Sequence, residues 1–74
     1  MRTLKEIFEE VFADWRKMSP YAKPYADALR ILNSPNDAYI FERGRDLIPY
    51  FLANAGGWRG DVAKRVKAEL RAML

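Results

Sequence analysis

The chain contains no cysteine and no histidine. Those two side chains are the easiest to tune for nucleophilic attack, proton transfer and metal binding near neutral pH. Their absence removes disulfides, thiolate chemistry, zinc sites of the usual kind and every histidine-activated nucleophile. The chain also lacks glutamine, and its three asparagines are Asn33, Asn36 and Asn54. Side chains suited to reading bases are therefore few. Long apolar runs are missing too. The longest, Leu47 to Ala53, is seven residues and includes Pro49, against the ~20 a membrane-spanning helix needs. Met1 to Glu10 has no unbroken apolar stretch and carries Glu6, Glu9 and Glu10, unlike a secretory signal. The expectation is a soluble, cytoplasmic protein.

Aromatic side chains are abundant. Ten fall within 74 residues, and half of all residues are hydrophobic. That is enough to build one small core without metal or disulfide support. A single domain over residues 1–74 is expected, with a stability of about 4–11 kcal/mol on the usual per-residue scale.

Charge is unevenly placed. Cations and anions balance through residue 57, and residues 58–74 hold five basic and two acidic groups, which accounts for the whole net charge of +3.

Hydrophobic spacing predicts three or four short helices packed as an all-α bundle. Leu4, Ile7, Phe8, Val11, Phe12 and Trp15 make the first stripe. Thr3 and Glu6 fit a capping box, Arg16 and Lys17 suit the helix end, and Ser19-Pro20 ends it. A second helix is placed from about Pro24 to Leu32, with Tyr25, Ala28, Leu29 and Leu32 inward. Ser34-Pro35-Asn36-Asp37 looks like a further N-cap with proline at the first helical position. Ala38 to Phe41 is readable as a helical turn or a short extended piece. The spacing Phe41, Gly44, Ile48, Phe51, Leu52, Ala55 is helical, so a helix interrupted near Gly44 to Asp46 is expected, with its second half at Leu47 to Ala55. Gly56-Gly57 would cap it. The last helix begins between Trp58 and Asp61. It buries Val62, Ala63, Val66, Leu70, Met73 and Leu74.

Catalysis has little to work with. Thr3, Ser19 and Ser34 are the non-phenolic hydroxyls, and all sit at expected helix starts, where capping accounts for them. Glu6, Glu10 and Asp14 lie at i, i+4, i+8 with Glu9 beside them. Such carboxylates could hold a divalent ion or form an acid/base pair, but on a surface helix they read as a solvated face. No cofactor, metal site or catalytic residue is expected, and the chain is taken not to be an enzyme.

The basic tail is the better candidate. Lys64, Lys67 and Arg71 share one stripe at i, i+3, i+7, with Arg59 and Arg65 near. The stripe could meet phosphates or an acidic protein. Leu47–Ala55, the glycines and the last helix resemble a helix-turn-helix in outline, although Asp61 near the helix start would repel a phosphate. Membrane binding is not expected, because the tail's apolar face is better explained by packing on the first helix. Arg59-Gly60-Asp61 matches a cell-adhesion tripeptide, and Gly60 is more simply a turn residue. Trp15 reads as core, while Trp58 could plug the core or anchor a partner. Tyr21, Tyr25, Tyr39 and Tyr50 are further contact candidates.

Tyr50-Phe51-Leu52-Ala53-Asn54-Ala55, then Trp58-Arg59-Gly60-Asp61, then Val66-Lys67-Ala68-Glu69-Leu70 resembles short uncharacterised proteins of bacteriophages and prophages. The resemblance covers about the last third of the chain. It implies a small protein that binds a host component, often to inhibit it. The leading expectation is thus a protein-interaction module using Trp58, Arg59, Lys64, Lys67 and Arg71. The alternatives are a nucleic-acid-binding protein using the last helix, and a helical homo-oligomer that sequesters a small anionic ligand.

Overall fold

The computed structural model describes residues 2–74. Helix α1 spans Leu4–Asp14, α2 Lys23–Leu29, α3 Gly44–Ala53 and α4 Asp61–Arg71; strands β1, Ala38–Tyr39, and β2, Glu42–Arg43, stand between α2 and α3. The bundle is therefore mostly helical rather than purely all-α. Among the described residues, no helix is long and apolar enough to cross a membrane.

The expected capping box opens α1. Thr3 Oγ1 accepts from the Glu6 N–H at 3.1 Å, and a Glu6 carboxylate oxygen accepts from the Thr3 N–H at 2.9 Å. These two bonds satisfy donors that the first turn of a helix leaves open. Two more are met from a distance: the Leu4 and Lys5 N–H groups donate to the carbonyls of Asn33 and Leu32, both at 2.9 Å. The α1 stripe is buried from Leu4 through Val11, and Trp15 continues it as the C-cap residue. The helix stops there, so Arg16 and Lys17 lie beyond it and not in its last turn.

Helix α2 is shorter than expected and ends at Leu29. Pro24 sits in its first turn, where a missing N–H costs nothing. Ser34 to Asp37 does not start a helix. The Asp37 carboxylate turns back to accept from the Ser34 and Asn33 N–H groups at 3.1 and 2.9 Å. An aspartate bonded to nearby backbone in this way stabilises a turn in competition with a helix.

The ambiguous stretch resolves as an antiparallel hairpin, with Ala38 opposite Arg43 and Tyr39 opposite Glu42. Its base is tied: the Gly44 N–H donates to the Asp37 carbonyl and the Arg45 N–H to the Pro35 carbonyl, both at 2.8 Å. The two turn residues are Ile40 and Phe41. Ile40 adopts φ 60°, at a position where hairpins ordinarily use glycine. For a β-branched residue that conformation costs about 1–2 kcal/mol. Phe41, counted in the helical spacing with Gly44 and Ile48, lies outside any helix and is 95% exposed. The helical register behind that spacing starts only at Gly44.

Gly44 begins α3 and does not interrupt it. A Cβ there would stand 2.9 Å from Leu4 Cδ1 and 3.2 Å from Leu32 Cδ1, so the residue is small because three segments meet over it. The α3 end uses Asn54 as its cap, and Gly60 is the one glycine among the described residues with positive φ, 110°. The left-handed turn thus falls at the start of α4 and not at Gly56-Gly57.

The core is threaded by aromatic rings. Phe8 meets Phe51 edge-on at 4.9 Å, Phe51 meets Trp15 edge-on at 6.2 Å, and Trp15 stacks on Trp58 at 5.7 Å with 7° between planes. Trp58 is only 2% exposed. On α4, Ala63, Val66 and Leu70 are buried and Val62 is half-buried, while the terminal Leu74 is exposed.

Two stability changes are expected. Trp58→Ala should lower the unfolding free energy by about 3–5 kcal/mol, read as a fall in urea midpoint at unchanged slope. Ile40→Gly should raise it by about 1 kcal/mol, since release of the left-handed strain outweighs the entropy of the added glycine.

Candidate functional site

Arg59, Lys64, Lys67 and Arg71 come together. They line an open cleft of about 450 Å³ with Trp58, Gly60, Asp61 and Ala63. The helical period of α4 sets three of the cations in a row, and the bend at Gly60 brings Arg59 alongside them. Among the described residues, none of these four cations lies within 4 Å of a carboxylate, whereas Arg2, Lys23 and Arg65 each do.

Lys67 is the most constrained of the four. Its Nζ donates to the Trp58 carbonyl at 2.7 Å and stands 5.9 Å from the centre of the Trp58 ring. Burial lowers its pKa below that of an ordinary lysine, and the charges of Arg71 and Arg59 lower it further. A cation held in partial burial beside two other cations is an arrangement that an arriving anion relieves.

Trp58 has a different part from that of an exposed anchor. Its indole N–H donates to Asp14 Oδ2 at 2.8 Å, and its ring is stacked in the core. Burial leaves it as a wall of the cleft, with its carbonyl as the acceptor for the Lys67 ammonium. Arg65 faces the other way. Its guanidinium bonds to Glu10, because residue 65 falls on the α4 side that meets α1.

On α1, Glu6, Glu9 and Asp14 lie on the exposed side, as a solvated face would have them, while Glu6, Glu10 and Asp14 also make specific bonds. Glu6 caps the helix. Glu10 pairs with Arg65 and, at 2.8 Å, with Arg2. Arg2 Nε also donates to Glu69 at 3.0 Å. Asp14 holds Trp58. Hydrogen bonding to Arg65 and then Arg2 holds Glu10 below the usual carboxylate range, and Arg2 does the same for Glu69. Among the described residues no group of three or more carboxylates is placed to hold a metal ion.

The hydroxyls are engaged locally. Ser19 Oγ accepts from the Tyr21 N–H and Ser34 Oγ from the Asn36 N–H, each at 3.2 Å. The helix-turn-helix outline does not fit, since residues 54–60 separate α3 from α4 and that motif uses a turn of about three to four residues. Tyr25 and Tyr50 stack on each other at 5.5 Å across α2 and α3. Ile40 and Phe41, at the hairpin tip, are exposed apolar residues, of which Phe41 is counted in the helical spacing.

Carboxylates whose pKa is lowered by folding stabilise the fold above their unfolded value, about 4.3 for glutamate. That contribution disappears as pH falls through the lower folded value. At low salt, the urea midpoint should therefore drop below about pH 4.5. Glu10→Gln should flatten that drop, and 0.5 M NaCl should shrink the difference between the two proteins.

No protein-family model, no curated protein and no solved structure matches this chain.

Proposed function

We propose that this chain is a non-enzymatic interaction module whose cationic cleft receives an acidic segment of a partner protein. One observation carries the reading. The fold gathers four cations, Arg59, Lys64, Lys67 and Arg71, around one cleft, with no carboxylate within 4 Å of any of them among the described residues. Concentrating like charge costs stability unless something outside the chain neutralises it. Lys67 bears that cost most directly, being held partly buried by its bond to the Trp58 carbonyl.

A carboxylate-bearing peptide suits the cleft better than a nucleic acid. The space is short, about 450 Å³, and Asp61 lies on its lining. A carboxylate there disfavours a continuous phosphate backbone, while discrete acidic side chains can arrange themselves around it. Asn54 is not among the lining residues, so the cleft presents no amide for base recognition. The resemblance of residues 50–70 to phage proteins extends the proposal: the partner is a host macromolecule, met in the cytoplasm, and occupying its acidic surface inhibits it.

The test is calorimetric titration with a deca-glutamate peptide and, separately, a single-stranded oligonucleotide of the same length. The peptide should bind at low salt and weaken as salt rises. Lys64→Glu combined with Lys67→Glu should reduce that binding at least tenfold while the helical circular dichroism and a cooperative melt are retained, since neither side chain belongs to the apolar core. Tighter binding of the oligonucleotide would favour the nucleic-acid reading. No binding of either ligand at low salt would sink the proposed role of the cleft.

A further inference from the structure

The cleft concentrates more positive charge than one carboxylate offsets. Among the described residues, a carboxylate paired within the fold meets one or two cations: Asp27 meets Lys23, Glu69 meets Arg2, and Glu10 meets Arg2 and Arg65. The cleft sets four cations against a single carboxylate, that of Asp61. Three of the four gather away from Asp61. The Trp58 carbonyl that accepts from Lys67 Nζ at 2.7 Å is covalently joined to the Arg59 nitrogen, so the root of Arg59 lies beside the tip of Lys67. Arg71 follows Lys67 by four positions on α4 and so shares its side of the helix. The charges of Arg71 and Arg59 both reach Lys67. Asp61 precedes Lys67 by six positions and Arg71 by ten, about 9 and 15 Å along the helix axis. It sits in the first turn of α4, where the helix dipole favours a carboxylate.

Resting on the role proposed for the cleft, we infer that the acidic segment it receives carries a phosphorylated side chain, whose phosphate seats among Arg59, Lys67 and Arg71. A phosphomonoester brings a charge of about −1.5 to −2 at pH 7 and three acceptor oxygens, against one charge and two oxygens for a carboxylate. Two guanidinium groups can each offer it a pair of parallel N–H donors, and arginine clusters are a recurring means of holding phosphorylated segments. Lys67 keeps two ammonium protons for the ligand after its bond to the carbonyl. Its side chain is already fixed by that bond, so less freedom is lost on binding. A nucleotide is the poorer occupant. The one aromatic ring on the lining, that of Trp58, is 2% exposed, which leaves a base no face to stack on. Asp61 opposes a second phosphate farther along the cleft, so the site takes one.

Fluorescence anisotropy tests this with a labelled glutamate-rich peptide bearing one phosphoserine and with its counterpart bearing glutamate at that position, in about 0.15 M NaCl. The phosphoserine peptide should bind about tenfold tighter or more. Arg71→Lys keeps the charge and removes the guanidinium fork. It should weaken the phosphoserine peptide by about fivefold or more and the glutamate peptide by less than about twofold, with circular dichroism unchanged because residue 71 is exposed. Inorganic phosphate should compete, but far more weakly than the peptide. Equal affinity for the two peptides overturns the inference and leaves the cleft a receptor for carboxylates. A phosphoserine preference that survives Arg71→Lys overturns it as well. Inorganic phosphate that binds as tightly as the peptide overturns it by making the free ion the ligand. Failure of both peptides to bind at low salt removes the cleft reading together with it.

Discussion

Trp58 holds the cleft end of the molecule in place. Its ring lies flat on Trp15, which meets Phe51, which meets Phe8. Its indole N–H is satisfied by Asp14, as a buried tryptophan requires. Its carbonyl faces outward and fixes the Lys67 ammonium. One residue thus ties the end of α1, the connection from α3 and the cationic face of α4. The position of the cleft follows from core packing, together with the Lys67–Trp58 bond within its lining.

The seam between α1 and α4 then sorts the charges. Arg2, Glu10, Arg65 and Glu69 form one chain of ion pairs across it. Partly exposed pairs of this kind add little stability singly. Their clearer effect is on orientation, since opposite charges along the seam favour one alignment of the two helices. With that alignment set, Arg65 is consumed by the fold and Lys64, Lys67 and Arg71 turn to the other side. The unneutralised charge of the tail is thereby gathered on one face.

Local chemistry was readable where a single segment decides the outcome. Thr3 and Glu6 announced the start of α1, the stripe from Leu4 to Trp15 announced its buried face, and the period of Lys64, Lys67 and Arg71 announced their shared side. It failed where distant partners decide. Gly44 looked like a helix breaker because its role, admitting Leu4 and Leu32 close to the backbone, is invisible without those neighbours. Asp37 looked like part of a helix cap, yet its carboxylate bonds backward. Phe41 fitted a helical spacing by coincidence, and the register was broken by a hairpin whose turn carries no glycine. Trp58 was open between core and surface, and Trp15 and Asp14 settled it.

The amino-acid order alone determined the helical character, the apolar stripes, the exclusion of histidine and cysteine chemistry and the location of the excess positive charge. These depend on residue type and on spacings within a few turns. The tertiary structure alone decided which charges are spent on one another, which aromatic rings are buried and where the hairpin projects. Those outcomes depend on partners up to 67 positions away along the chain, as Arg2 and Glu69 are, and no local pattern specifies such a meeting.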